Sequence, residues 1–371
     1  MSETLKRPTR WISRVLSIAP SLGLLAAALA IFLARTSRCG DSPAEFRRMG
    51  LVVAAAFAAS LAAALLPELW VQRLRRTCEW LVGYFLAYVM MGYGWAKLLD
   101  VQFSASPTSF DTRLVDMSPM QVAWAFFGYS YTYQAFAGLG EVAGAFFLCF
   151  RRTRTLGACI LLAVLSNVVL INIYYGVCVK LNSSVYLLMT LYFLALDGKR
   201  LWLFFMTGRS VPAADRGPGP TPLRLLPWLK AGQILALLLV LVHPPYEVRR
   251  SKAIYTISES SPLFGAWRIE SITVDGASRS AEELWGQPWN RLFIERGLWG
   301  TARGEGDVSN AFDYVVDENA GTLELNFRKP RLTLEGRYGF DDAGGWRIEL
   351  DGSPAAVIEL ERMPEFRHER K

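Results

Sequence analysis

A few polar side chains lie inside long uncharged stretches of this 371-residue sequence, and their chemistry needs an explanation. Stretches such as 80–96 and 156–179 have about the length of a helix that crosses hydrocarbon. A polar group is costly in that environment, so an ionisable one is by default a functional candidate. The candidates, in chain order, are Lys97, Tyr131, Tyr133, Gln134, Glu141, Asn167 and Asn172.

Glu141 is the strongest of these candidates. At 1.5 Å per helical residue, it lies about 15 Å from the cytoplasmic end of its predicted helix, and Asn167 lies about 18 Å from the end of the next. We expect the two side chains to form a hydrogen-bonded pair near the midplane. Two roles remain open for Glu141, namely proton or ligand chemistry and the joining of helices by a polar bond.

The remaining candidates form an outer layer that we expect to face a vestibule outside the bilayer. Lys97 also has a structural interpretation, because it ends a helix and can snorkel to the interface or pair with Asp100. Tyr131 and Tyr133 are typical of an interfacial aromatic belt, a surface that would also suit a quinone or a lipid headgroup. The glycines at 138, 140 and 144 indicate close helix packing.

The distribution of apolar and charged residues predicts the elements that position these side chains. Hydrophobic residues make up 52% of the chain, and the formal net charge is +7. Apolar runs crowd residues 15–243, whereas residues 247–371 alternate and carry many charges, which predicts a membrane domain followed by a soluble one. Because Lys and Arg lie mainly beside the ends of apolar runs, the expected partner is the lipid bilayer and not nucleic acid.

We predict a membrane α-helical bundle of about seven transmembrane helices. The predicted domains are a two-helix extension (1–78), a four-helix core (79–207), a linker with a seventh helix (208–246) and a β domain (247–371). Residues 118–128 predict a short helix that is either interfacial or re-entrant. Positive residues recur beside every second span, which predicts a cytoplasmic amino terminus and an extracytoplasmic C-terminal domain.

From about residue 254 the hydrophobic period changes to two, in seven short runs separated by turn signals. Seven or eight antiparallel strands of this kind predict a small all-β barrel or sandwich.

Cysteine and histidine are sparse and scattered. The two histidines and the cysteines at 39, 78, 149, 159 and 178 show no metal-ligand spacing, so we expect no metal site and no cofactor bound by the chain itself. Whether Cys39 and Cys178 form a disulfide remains open.

Several short motifs in the membrane region resemble the DoxX-like family of bacterial membrane proteins. They are Tyr93-Gly-Trp-Ala-Lys97, Gly138-Leu-Gly-Glu141-Val-Ala-Gly144, Arg151-Arg-Thr-Arg-Thr-Leu-Gly157, Asn167-Val-Val, Asn172 and Val179-Lys180-Leu181. The resemblance implies a four-helix membrane core at about 80–200 in the bacterial cytoplasmic membrane. It also implies an accessory subunit of a membrane oxidoreductase more readily than a complete enzyme.

The C-terminal part resembles a lipocalin-type small barrel. Gly265-Ala-Trp267 begins the first predicted strand, and Arg362 follows the last. The resemblance implies that Arg362 packs over the Trp267 ring and closes one end of the barrel. The alternative is an ordinary sandwich that contains Trp267.

Two functions therefore compete at the level of the sequence, and whether the chain is an enzyme stays undecided. In the first, the chain is an accessory subunit that binds quinone or another apolar substrate beside Glu141, together with a redox partner protein. In the second, it is a non-enzymatic envelope protein whose β domain binds a lipid or another lipophilic molecule.

Overall fold

A computed structural model of the protein describes residues 3–34, 41–103, 106–211, 226–304, 308–342, 344–351 and 355–363. The chain divides into two compact units, each built from two separate segments. The helical unit contains Met1–Gln102 and Thr132–Arg249, and the β unit contains Phe103–Tyr131 and Arg250–Lys371.

The helices follow one another with short connections. In chain order they are α1 (Glu3–Leu33), α2 (Pro43–Ala63), α3 (Glu68–Leu98), α4 (Pro107–Phe110), a 3-10 turn (Leu114–Asp116), α5 (Pro119–Tyr129), α6 (Tyr131–Cys149), α7 (Arg154–Tyr174), α8 (Lys180–Leu196), α9 (Gly198–Thr207), α10 (Leu226–Ser260) and α11 (Ala281–Trp285).

Four of the described helices are long and apolar enough, by length and composition, to cross a membrane. These candidate spans are Trp11–Leu33, Pro43–Ala63, Arg154–Tyr174 and Lys230–Thr256. By this criterion the described helices give four candidate spans and not the seven that the sequence predicts. The reason is that α3 and α6 carry charged and polar residues that lower their hydropathy, while α8 has only 17 residues.

Glycines let α6 approach its neighbours closely. A Cβ atom at Gly138 would lie 2.7 Å from the carbonyl oxygen of Gly94 in α3, and one at Gly157 in α7 would lie 2.7 Å from that of Gly144. Such distances are too short for a real side chain, so both crossings require glycine. The structure thus gives Gly138 and Gly144 the packing role that the sequence indicates.

Two helices occupy residues for which the sequence did not predict a helix. The ten-residue helix α9 lies at the end of the predicted four-helix core, just before the linker predicted from residue 208, and it leaves Trp202, Phe204 and Phe205 exposed. Residues 212–225 of that linker lie outside the described residues. Helix α10 continues to Ser260, although strands were expected from about residue 254, because residues 247–260 are rich in helix-compatible charged side chains.

The β unit contains a closed barrel. Its strands are β1 (Gly265–Val274), β2 (Ala277–Ser278), β3 (Trp289–Ile294), β4 (Trp299–Gly304), β5 (Ser309–Asp317), β6 (Thr322–Phe327), β7 (Leu332–Phe340), β8 (Trp346–Leu350) and β9 (Ala356–Arg362). Antiparallel neighbours follow chain order from β3 to β9, β1 pairs with both β3 and β9, and the two-residue β2 is a short addition to β1. Eight strands thus close the barrel, which decides between the two predicted architectures.

Large side chains from all around the barrel meet in its interior. Trp289 stacks on Phe327 with ring centroids 4.2 Å apart, and Phe312 approaches Phe327 at 5.0 Å. On another side, Trp267 meets Trp346 at 5.4 Å. These rings belong to one contiguous buried cluster, so the interior positions are occupied by the protein's own side chains.

The alternation of apolar and polar residues did not predict strand β4, because this strand contains glycines, which are uncommon in strands. Its neighbours leave no space for a larger residue: a Cβ at Gly300 would lie 2.6 Å from the carbonyl oxygen of Phe293, and one at Gly304 would meet the Pro288 backbone. Glycine in a strand commonly marks such a close backbone approach.

The end of the barrel carries the contact that the lipocalin resemblance implies. Trp267 pairs with Arg362 across β1 and β9, and the guanidinium carbon lies 5.5 Å from the ring centroid. The indole N–H donates to the carbonyl oxygen of Leu263 at 2.8 Å, and Arg362 Nη2 donates to that of Phe264 at 3.0 Å. A cation–π contact of this kind contributes about 0.5–2 kcal/mol.

Part of the α3–α6 connection is fastened to the barrel by buried charges. Asp111 accepts hydrogen bonds from Arg291 at 2.6 Å and from Arg303 at 3.1 Å, and both Asp111 and Arg303 are almost fully buried. Glu295, 2% exposed, accepts from Ser106 at 2.6 Å and from the backbone N–H of Thr108 at 3.0 Å, which caps α4. Residues 103–131 are thus integral to the β unit.

We predict that Gly138→Ala lowers the melting temperature of the purified protein. The added methyl group would lie 2.7 Å from the Gly94 carbonyl oxygen and 2.9 Å from Lys97 Cβ, so α3 and α6 must separate. Overpacking of this kind costs about 1–3 kcal/mol. Thermal unfolding in detergent measures the change. Gly50→Ala in α2 is the control, because its Cβ would meet nothing within 4 Å, and equal melting of the two variants would contradict the close crossing.

Candidate functional site

A buried ion pair joins α3 to α6 in the helical unit. The ammonium of Lys97 donates to both carboxylate oxygens of Glu141, at 2.9 Å and 2.7 Å. The Lys97 and Glu141 side chains are only 6% and 3% exposed. The ring of Tyr93 lies 5.7 Å from the same ammonium, measured to its centroid, and adds a cation–π contact.

The spacing of glycine and charge along both helices explains why this pair forms. Gly94 and Lys97 are three residues apart in α3, and Gly138 and Glu141 are three apart in α6, so each charge lies on the face of its helix that also carries the glycine. The close crossing of the two glycines brings the backbones together. The ammonium can therefore reach both carboxylate oxygens although Lys97 is near the end of α3.

Gln134 extends the cluster by two helical turns. Its side-chain amide is fully buried, and Nε2 donates to the Lys97 carbonyl oxygen at 3.0 Å and to Asp100 Oδ1 at 3.3 Å. Both partners are acceptors, so they fix the orientation of the amide. The amide oxygen, Oε1, is buried and has no hydrogen-bond partner among the described residues.

The other sequence candidates do not join this cluster in the same way. Asn167 is exposed on α7, so the predicted pairing of Glu141 with Asn167 is wrong: Lys97 is the partner of the carboxylate instead. Asn172, also on α7, is buried at 6% exposure. Tyr131 and Tyr133 are each 46% exposed. The structure therefore brings together Lys97, Gln134 and Glu141 out of the seven candidates.

Two further residues belong to the cluster that the sequence did not single out as site residues. Asp100, 5% exposed, adopts a left-handed conformation with φ of 56° just after the end of α3, which turns its carboxylate toward Gln134. Aspartate tolerates this conformation better than most residues. In the sequence, Tyr93 was noted only as the first residue of the motif that ends at Lys97. An acidic residue immediately after a helix end was the available signal for Asp100.

The sulfur and metal chemistry of the described residues is limited. Cys178 is disulfide-bonded, and Cys39, with which a pairing was left open, lies outside the described residues. Cys78, Cys149 and Cys159 are free thiols. In the part of the chain that the structure describes, no three His, Cys, Asp or Glu side chains form a set that could hold a metal ion. The cluster itself consists of an ammonium, two carboxylates and an amide.

We predict that Glu141→Leu destabilises the protein by about 3–5 kcal/mol, because it leaves the Lys97 ammonium buried without its carboxylate. The double variant Lys97→Met/Glu141→Leu should recover most of this loss, since replacing both ions removes the unpaired charge. Chemical or thermal unfolding of the purified protein measures both effects. Glu68→Leu is the control: it removes a carboxylate from the half-exposed Arg14–Glu68 pair, which should cost at most about 1 kcal/mol. Equal losses from Glu141→Leu and Glu68→Leu would argue against a buried pair.

Comparison with known proteins finds a bacterial relative of this chain. No family model matches the chain, and no solved structure matches it. The uncharacterized protein YwoB of Bacillus subtilis (strain 168) is 34% identical over 121 residues, which are 33% of this chain and 77% of YwoB. The relationship thus covers most of the relative and a third of the present chain. By this similarity the chain belongs to the same protein family as YwoB.

Proposed function

We propose that the protein is an integral protein of the bacterial cytoplasmic membrane that binds the polar head of an apolar substrate, with quinone as the candidate class. In this proposal it acts as an accessory subunit of a membrane oxidoreductase system and needs a redox partner protein. The DoxX-like resemblance of the sequence motifs suggested this role, and the polar cluster of the helical unit supports it.

The observation that carries the proposal is the buried Lys97–Glu141 pair with its neighbours Gln134 and Asp100. Its helices pack against candidate membrane spans: α3 against α1, and α6 against α7 through Gly144 and Gly157. Burying two ions costs several kcal/mol each, and apolar side chains of similar volume would often be at least as stable. A polar cluster kept in such a place is therefore better explained by binding than by stability.

Three observations support an extracytoplasmic position for the β unit, an orientation that requires α3, α6 and α8 to cross the bilayer besides the four candidate spans. Loops rich in Lys and Arg favour the cytoplasmic side for residues 73–76, 151–154 and 199–209. Cys178 is disulfide-bonded, and disulfides persist mainly outside the reducing cytoplasm. Residues 103–131 and 250–371 form one compact unit, so both must lie on the same side of a bilayer.

The competing function, an envelope protein whose barrel holds a lipophilic molecule, has less support. That function needs an apolar interior with space for a ligand. The interior positions of the barrel instead carry Trp267, Trp289, Phe312, Phe327 and Trp346 within one contiguous buried cluster. The barrel is better explained as a folded domain that holds the α3–α6 connection through Asp111 and Glu295.

We predict that the protein, purified from native membranes in mild detergent, carries quinone and a redox protein. Glu141→Gln keeps the side-chain volume but removes the carboxylate, so the bound quinone per protein should fall several-fold. Glu68→Gln, the same change in a half-exposed ion pair, should leave the quinone content unchanged. Solvent extraction with chromatography measures quinone, and mass spectrometry identifies co-purified proteins. A wild-type preparation free of both would refute the proposed role.

We also predict the sidedness of the chain. An alkaline-phosphatase fusion after Gly208 should be inactive, because the reporter remains in the cytoplasm. A fusion after Lys371 should be active, because the β unit is exported in this proposal. Expression levels of both fusions, checked by immunoblot, are the control. An active reporter at Gly208 together with an inactive one at Lys371 would reverse the proposed orientation.

A further inference from the structure

We propose that Gln134 makes the site selective for a ligand that donates a hydrogen bond, and hence for a hydroquinone over the corresponding quinone. The inference rests on the proposed function, because it specifies the chemical form of the apolar substrate. Its starting point is the Gln134 Oε1 atom, which is buried without a hydrogen-bond partner in the described part of the chain.

The orientation of the amide is set by its surroundings. Nε2 is committed to two acceptors, the Lys97 carbonyl oxygen and Asp100 Oδ1. A flipped amide would place an oxygen against two oxygens and lose both bonds. Oε1 therefore keeps its position as the free end of the amide, and it can be satisfied only by a group that carries a hydrogen.

A buried carbonyl without a donor is unusual and calls for a specific explanation, such as a bound molecule. An ordered water is the simplest donor, but a water needs two or more polar partners to replace its bonds in bulk solvent. The α6 side chains Tyr133 and Phe136, one residue before and two residues after Gln134 in the sequence, are 46% and 73% exposed, so the same helix also carries an exposed aromatic surface. This combination fits a ring that bears a hydroxyl group and an apolar tail.

The chemistry of the two quinone forms decides which one fits. A quinone presents only carbonyl oxygens, which would face Oε1 as a second acceptor. A hydroquinone presents hydroxyl groups, each of which can donate. Leaving a buried acceptor unsatisfied typically weakens binding by about tenfold or more.

The position of Gln134 is compatible with this role. It lies seven residues before Glu141 on α6, hence on the same helical face and about 10 Å along the axis. Because Oε1 is closed off in the structure, neighbouring side chains must move to admit a ligand. Association should accordingly be slower than for an open site.

The test uses the full-length protein in lipid nanodiscs, titrated anaerobically with a short-chain alkyl hydroquinone and with the matching quinone. We expect the hydroquinone to bind about tenfold more tightly. Gln134→Met keeps the volume but removes the acceptor, so it should abolish the difference between the two forms. Gln72→Met, a change at a half-buried glutamine in the first part of α3, should retain it.

Each outcome decides a different point. Equal affinity of the wild type for both forms, or tighter binding of the quinone, overturns the selectivity while leaving quinoid binding intact. Failure of both forms to bind overturns the selectivity and also removes the quinone class from the proposed function. If Gln134→Met does not fold, the wild-type comparison of the two ligands still decides, because it requires no variant.

Discussion

The helical unit depends on a close contact between two helices that only glycine permits. Gly94 and Gly138 bring the backbones of α3 and α6 together, and this proximity lets Lys97 reach both oxygens of Glu141. A wider crossing would leave each ion buried without its partner, at a cost of several kcal/mol. Packing and electrostatics are therefore inseparable at this position, since the ion pair exists only while the glycines touch.

The β unit shows the same dependence of one segment on a distant one. A helix of four residues, α4, is too short to be stable by itself, and it is held because Glu295 caps its first turn and Asp111 binds two arginines of the barrel. The barrel in turn gains one acidic partner, Asp111, for both Arg291 and Arg303, which would otherwise leave charge near its buried strands. Without the other segment, each would have polar groups that lack their hydrogen-bond or ion-pair partners.

Much of the fold was predictable because most of its elements follow from the residue pattern of their own segment alone. Alternation predicted seven of the strands, and the glycine spacing around residue 138 predicted close packing. Strand β4 was not predictable from propensity, because Gly300 and Gly304 are there for the sake of neighbouring backbones. The number of spans was overestimated, because uncharged runs around α3 and α6 were counted without the polar residues beside them.

The candidate site was predictable in three of its members but not in its pairing. Counting residues gives the depth of Glu141 along its helix, and polar residues in uncharged runs marked Lys97 and Gln134, which the structure places in the same cluster. Counting gives no information on which way each helix is rotated, and Asn167 was therefore assigned to a partner that it does not face. The conformation of Asp100, which depends on a single left-handed residue after α3, is likewise invisible to helical periodicity.

The ion pairs and hydrogen bonds between residues 103–131 and the barrel also determine when this segment can fold during synthesis. Asp111 leaves the ribosome 180 residues before its partner Arg291. At about 5–20 residues per second, roughly 10–40 s pass before that arginine is even made, and the barrel then still has to be completed by β9. During this interval α3 and α6 can already have formed their glycine contact and ion pair. The connection between them must wait for β9, so assembly of this protein ends with a segment that was translated well before the barrel.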